Sequence, residues 1–188
     1  MTPEEEKNLL QQIKSNPNCF GVVFDNYYKS IFNYIFKRIA DYDISRDIAA
    51  ETFLKAYLNI QSFSWKNISL SSWLYRIATN EINYYFRKQK YMVSQLKGFS
   101  NFNFLFNNEE YLTEKQLFEK ELELHSEFLK VQQALRKLNI KYQEVLSLRY
   151  FEKKSINEIA DILGKKEGTV KSLLSRGTEK LRTLLMPG

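Results

Sequence analysis

Two helical stretches carry the side chains whose types and spacing point to chemistry. In SSWLYRIATNEINYYFRKQK (Ser71 to Lys90), the polar and basic residues Arg76, Asn80, Arg87 and Lys88 are interleaved with Tyr84, Tyr85 and Phe86, and Tyr91 follows. Cations beside aromatic rings suit unpaired nucleotides, because every base offers a π-face and every nucleotide a phosphate. The loop before it, QSFSWKNISLSS (Gln61 to Ser72), adds Phe63 and Trp65, two rings able to wall a pocket for an extruded base. The competing reading is bland: Trp73, Tyr75 and Tyr85 are core, and the basic helix end is solvated. Pattern alone leaves both open.

The second stretch is SINEIADILGKKEGTVKSLLSR (Ser155 to Arg176). Ile156, Ile159, Ala160 and Leu163 make one helix face. Gly164 stands where a positive-φ residue ends a helix, and Lys165 and Lys166 make the turn. Val170, Leu173, Leu174 and Leu181 supply the next apolar face. Ala160, Gly164 and Val170 have helix-turn-helix spacing, with a small residue at the crossing, a tight turn and a plug between helices. Tyr142, Val145, Leu146 and Leu148 of KYQEVLSLRYF brace the pair. Placed in a major groove, the second helix presents Glu167, Thr169, Lys171, Ser172, Ser175 and Arg176 to base edges and phosphates. The alternative is a helical hairpin with a solvated basic face.

These segments need helices to position them, and the rest of the chain reads as helical. Thr2-Pro3-Glu4-Glu5 resembles a helix start with Thr2 as N-cap, and Asn16-Pro17-Asn18 breaks that helix. Phe24, Tyr27, Tyr28, Ile31, Phe32, Ile35, Phe36 and Ile39 recur at steps of three and four. A third helix fits Ser45 to Ile60, with Ser45 as cap and a stripe of Ile48, Ala49, Thr52, Phe53, Ala56 and Tyr57. Its polar face carries Arg46, Asp47, Glu51 and Lys55. The fourth helix, Ser71 to Lys90, turns Trp73, Leu74, Ile77, Ala78, Ile82 and Tyr85 inward. The expected class is all-α, with two small helical domains at 1–90 and 128–188. Between them, residues 91–127 read as a partly disordered linker, aromatic at first and then acidic. From Asn107 to Glu127 seven Glu face two Lys, whereas from Ala134 onward twelve Lys or Arg face six acids.

Composition sets limits on function. The 188 residues carry a formal charge of +6, a modest basic excess compatible with nucleic acid or an acidic partner. Cys19 is the sole cysteine and His125 the sole histidine, far apart in sequence. Neither a thiolate metal site nor a nucleophilic dyad can be assembled from them. No Gly-rich phosphate loop is present. Asp41, Asp43 and Asp47 read as helix-start carboxylates rather than metal ligands. No catalytic residue, metal or cofactor is expected. The acidic N-terminus is unlike a secretory leader and no apolar run is long enough to span a bilayer, so the expectation is a cytoplasmic protein.

Together, WLYRIA, ETFLKAY and GTVKS, in this order and spacing, resemble the sigma factors of bacterial RNA polymerase, specifically the extracytoplasmic-function (ECF) group of the sigma-70 family. DISRDIAAETFLKAY is similar to that family's region 2.2, and Ser71 to Lys90 to its regions 2.3 and 2.4. The stretch from Ala134 to Arg182 is similar to its region 4.2. The resemblance implies binding of the polymerase clamp helices through Asp47, Glu51, Phe53, Leu54 and Lys55. It implies melting of the promoter −10 element, with single-stranded DNA held by Phe63, Trp65, Arg76, Asn80, Tyr84, Arg87 and Lys88. Duplex −35 DNA would be read by Lys166, Glu167, Thr169, Lys171, Ser172, Ser175 and Arg176. The polymerase flap and an inhibitory anti-sigma factor are further implied partners, and membrane insertion is not. Departures from the family pattern are Tyr84 in place of an acid or Asn, Asn139 in place of Pro, and Leu173, Ser175, Gly177 and Thr178 where basic or larger residues are common. Tyr84 bears on base reading at the −10 element, and the less basic second helix predicts weak unaided −35 binding, assisted by another DNA-bound protein. The alternative is a stand-alone helix-turn-helix regulator.

Overall fold

Local capping chemistry sets where most helices begin. The computed structural model describes residues 2–63, 68–95 and 126–186. Helix α1 (Pro3–Ser15) opens with a reciprocal capping box, in which Thr2 accepts the Glu5 N–H and Glu5 accepts the Thr2 N–H. Asn16 is extended and caps a 3-10 turn (Pro17–Phe20) that leads directly into α2 (Gly21–Ile39). Ala40 ends α2 in the left-handed region at φ 52°. Asp41 then accepts the Ile44 N–H at 2.9 Å and starts α3 (Tyr42–Asn59).

That start corrects the expectation that Ser45 caps α3. Ser45 is buried one turn inside the helix, and its hydroxyl donates to the Asp41 carbonyl. The Asp41 carboxylate, four residues before Ser45, takes the free Ile44 amide instead. Helix α4 (Leu70–Gln95) also departs from expectation, running past Lys90 into what reads as linker. The remainder of that linker, 96–125, lies outside the described residues, as does Trp65.

In the C-terminal half, α5 (Ser126–Lys137) and α6 (Ile140–Leu146) are separated by Asn139, whose side chain caps α6 where the expected family pattern has proline. A π-helical turn (Ser147–Phe151) prolongs α6. Ser155 and Glu158 form a second capping box at the start of α7 (Ile156–Leu163). Gly164 has φ 61° and α8 (Glu167–Leu185) follows. The fold is all-α, with two helical bundles.

Each bundle has its own apolar centre. Ile31, Tyr34 and Ile35 of α2, Ala49 and Ala56 of α3, and Leu74, Ala78 and Ile82 of α4 are inaccessible to solvent. In the other bundle Val145, Leu146 and Leu148 pack against Ile159 of α7 and Val170 of α8, all buried. Gly177 lets α8 come close to α6: a Cβ there would stand 3.3 Å from both Leu146 and Tyr142.

The bundles meet with α4 against α7 and α2 against the π-turn. Buried apolar side chains of both bundles join in one cluster, and polar groups also cross the contact. Glu152 accepts from Lys37 at 3.2 Å and from the Tyr75 hydroxyl at 2.7 Å. Asn83 donates to the buried Glu144 at 2.6 Å, and Gln132 to the Lys37 carbonyl at 3.0 Å. Arg136 donates to the Ile39 carbonyl.

Three tyrosine hydroxyls tie elements together: Tyr27 to Glu6, Tyr34 to Thr79 and Tyr75 to Glu152. Burial pushes all three above their ordinary value of 10.0, and the neighbouring carboxylates add to it at Tyr27 and Tyr75. The folded state therefore favours the neutral phenol. Its contribution is complete below pH 10, where free tyrosine is protonated too, and is lost as pH rises beyond that. We expect urea midpoints to fall above about pH 10. Tyrosinate absorbance from these three should rise only together with loss of helical circular dichroism; full ionisation of a still-helical chain would contradict the assignment.

Candidate nucleic-acid interface

Helix α4 places its polar side chains by periodicity alone. Arg76, Asn80, Tyr84, Arg87 and Lys88 follow one another at helical steps and form a single stripe. Asn80, Arg87 and Lys88 are exposed, and Tyr84 is 57% exposed. The stripe borders a cleft of about 490 Å³ lined by Phe63, Ile68, Trp73, Arg76, Ile77 and Asn80. That volume lies within the range of small-ligand sites. Phe63 is 7% exposed and lies against Trp73 with centroids 4.6 Å apart, so the two rings form the cleft's floor rather than a free platform. The aromatics of this stretch divide between core and surface. Tyr75 is core, and Tyr84 is free.

Lys55 closes one side of the cleft. Its ammonium lies 2.6 Å from Glu81 of α4 and 3.2 Å from Glu51 of its own helix. The Glu81 hydrogen bond above all holds its pKa above the ordinary lysine value. Lys55 therefore stitches α3 to α4 as well as standing on the surface.

On the outer side of α3, Asp47, Glu51, Leu54 and Leu58 share a face. Leu54 is 51% and Leu58 67% exposed, and Val22, Phe24 and Tyr57 add further exposed apolar surface nearby. Phe53 lies inward, as its place in the apolar stripe predicts, and not on the outer face with the other residues implied to meet the clamp. It is 4% exposed and packs edge-on against Phe24, because its position on α3 faces the bundle. Tyr57, expected in the stripe, lies at its margin with its ring edge on Phe20.

In the C-terminal bundle, α8 turns Val170 inward and leaves Lys166, Glu167, Thr169, Lys171, Ser172, Ser175 and Arg176 exposed. They occupy its first three turns, the part of a helix that enters a major groove in helix-turn-helix proteins.

The two faces are not independent. The Arg76 guanidinium donates to the Ile162 carbonyl at 3.2 Å and to the Asp161 carbonyl, both in the last turn of α7. Those carbonyls form the negative end of the helix dipole. A second cleft of about 380 Å³ separates Arg76 and Asn80 from the Gly164–Lys165 turn. Sequence reading did not single out Glu6, Gln61, Glu144 or Glu152. For Glu6 a signal existed: it shares the inward face of α1 with Leu9, Leu10 and Ile13 at helical spacing. The pairings of Glu144 and Glu152 across the bundles have no local signature.

Comparison with known proteins agrees with this geometry. Residues 23–91 match the family model of sigma-70 region 2, and residues 128–181 that of sigma-70 region 4. The chain is 33% identical over 186 residues to the ECF RNA polymerase sigma factor SigW of Bacillus subtilis, covering 96% of each protein. It is 34% identical over 164 residues to the sigma factor YlaC of the same organism, covering 85% of this chain and 88% of that one. Two solved structures share the fold. One is CnrH in complex with the cytosolic domain of CnrY, with TM-score 0.69, 21% identity and 96% of each chain covered. The other is RpoE of Bartonella quintana with the anti-sigma factor NepR, with TM-score 0.65, 23% identity, and 88% of this chain and 96% of that one covered. Among the described residues no helix is long and apolar enough to cross a membrane. The chain belongs to the sigma-70 family, in its ECF group, and is a sigma factor that directs RNA polymerase to promoters rather than an enzyme.

Proposed function

We propose that the two bundles divide promoter binding between them, residues 1–90 opening the −10 element and residues 128–188 holding the −35 element. The observation that carries this reading is the α4 stripe at the mouth of the Phe63–Trp73 cleft. Arg87 and Lys88 meet phosphates, Tyr84 stacks on an unpaired base, and Asn80 hydrogen-bonds a base turned into the cleft. Stacking contributes about 1–3 kcal/mol per base. Extruding a base costs a few kcal/mol, so ring and phosphate contacts together are of the right size to offset it. Arg76 joins this surface only after releasing the α7 carbonyls, so DNA engagement separates α4 from α7.

The apolar patch of Leu54 and Leu58, rimmed by Asp47, Glu51 and Lys55, docks on the clamp helices of core polymerase. An apolar centre with a charged rim is the usual anatomy of such contacts. Phe53 supports this surface from beneath. The anti-sigma complex described for a structural neighbour supports an inhibitory partner here too, competing for exposed faces of the same bundle. On α8, Lys166, Lys171 and Arg176 are the cations of the reading face, few for autonomous binding. A second DNA-bound protein assisting the −35 contact follows from that scarcity.

The primary test is in vitro transcription with core polymerase and genomic DNA, mapping every start site; start sites sharing −10 and −35 sequences are expected, and failure to bind core would reject the reading. Leu54→Glu should lower core affinity at least about 30-fold, the size of an interface hot spot, with thermal stability unchanged. Lys171→Ala and Arg176→Ala should each reduce the slope of log affinity against log salt by about one at a mapped promoter. A slope unchanged in both variants would remove these residues from the DNA contact.

A further inference from the structure

Glu6 differs from its neighbours in the acidic opening of α1. Glu4 and Glu5 are exposed, whereas Glu6 is 4% exposed. Burying a carboxylate is costly unless its oxygens are satisfied, and here each has a specific partner. One oxygen accepts the Tyr27 hydroxyl at 2.7 Å, and the other accepts the backbone N–H of Leu70 at 3.1 Å. Leu70 is the first residue of α4, so its amide has no acceptor within its own helix. Local capping of α4 is already supplied by Ser69, whose hydroxyl accepts the Ser72 N–H at 3.0 Å. The Glu6 bond therefore adds a tertiary tie to a helix start that has its own cap.

A second tie lies two turns along α1. The Gln61 side-chain amide donates to the Ile13 carbonyl at 3.3 Å. Gln61 opens the loop and Leu70 closes it. The described flanks of this segment, Gln61–Phe63 and Ile68–Leu70, are thus fastened to one rigid helix, at points roughly 10 Å apart along its axis. Between them, Phe63 and Ile68 line the cleft beside Asn80.

We propose that Glu6 is a positioning residue for strand opening: together with the Ile13–Gln61 bond it holds Phe63 and Ile68, on the two flanks, at the separation that shapes the cleft for an unstacked base. This rests on the reading of the cleft given above. Glu6 does not touch DNA; it acts through Leu70 and the loop.

The test uses full-length chain assembled with core polymerase, on promoter fragments recovered by the start-site mapping. Permanganate reactivity of −10 thymines reads opening, and titration of core reads assembly. Glu6→Ala should slow opening about tenfold while leaving core affinity within twofold, the scale of one lost charge-assisted hydrogen bond. Glu6→Gln should restore most of the rate, since its amide oxygen can accept from Leu70 and its NH₂ can donate to the Tyr27 oxygen. Gln61→Ala alters an exposed side chain and so spares the core; it should show the same selective loss, about threefold. On a template already melted over the −10 element, all variants should transcribe alike. Equal losses of core affinity and opening would reduce Glu6 to a stability role and overturn the proposal. So would opening at the wild-type rate in both Glu6→Ala and Gln61→Ala. Failure of the wild-type holoenzyme to open any mapped promoter would instead sink the reading of the cleft itself, and the proposal with it.

Discussion

One helix has to be core and, on the proposed reading, DNA-binding surface at once, and the N-terminal bundle is arranged around that demand. Helix α4 spans 26 residues. Leu74, Ala78 and Ile82 face α2 and α3, while Arg76, Asn80, Tyr84, Arg87 and Lys88 occupy the remaining arc. A helix offers only about 100° to each residue step, so the two sets cannot shift relative to each other without rotating the whole helix. Its rotation is held by specific contacts rather than by apolar packing alone. Thr79 bonds Tyr34 at 2.9 Å, and Glu81 bonds Lys55 at 2.6 Å. Glu6 holds its first amide. Each of these reaches α4 from a different helix, which fixes both its rotation and the height of its first turn.

The contact between the bundles follows from the same stripe. The α7 carbonyls offered to Arg76 carry partial negative charge at a helix C-terminus. A guanidinium suited to phosphate oxygens is suited to them as well. Glu152 similarly collects a lysine and a tyrosine hydroxyl from the other bundle. An interface built from such groups exchanges one set of hydrogen bonds for another when the bundles part. That polar part costs less to open than apolar surface of the same area, for which water supplies no replacement. Polar groups across the contact suit halves that, on the proposed division of labour, both reach DNA.

The fold class, the helices and the helix-turn-helix turn were legible because each rests on local chemistry. Thr2, Asn16, Ser155 and Gly164 act within a few residues of themselves, and apolar periodicity marks the buried faces. Errors arose where two local solutions compete. Ser45 and Asp41 both suit a helix start, and the choice went to Asp41 because Ala40 turns the chain sharply just before it. Phe53 and Leu54 are adjacent and both apolar; helical periodicity already turned Phe53 inward, whereas the clamp contact implied by the resemblance took both. Within the candidate site, the α4 and α8 faces were readable from spacing. The ties that shape the cleft were not, because Glu6 to Leu70 and Gln61 to Ile13 join residues far apart in sequence. Glu6 was hidden further by its company, since a run of three glutamates after a cap reads as dipole complement for all three.

The sparse charge of α8 gains meaning from this arrangement. With about three cations on its reading half, counterion release gives a salt slope of only roughly −3, far below that of proteins that hold duplex DNA alone. Weak contacts become sufficient when a second site on the same chain is already engaged, because the tethered contact then forms at high effective concentration. Affinity in α8 strong enough to act alone would hold polymerase wherever a −35 sequence occurs, with no −10 element to open. A modest α8 instead makes occupancy depend on both elements at their proper spacing. On the proposed division of labour, serine and leucine on that helix shift discrimination from the single contact to the pair.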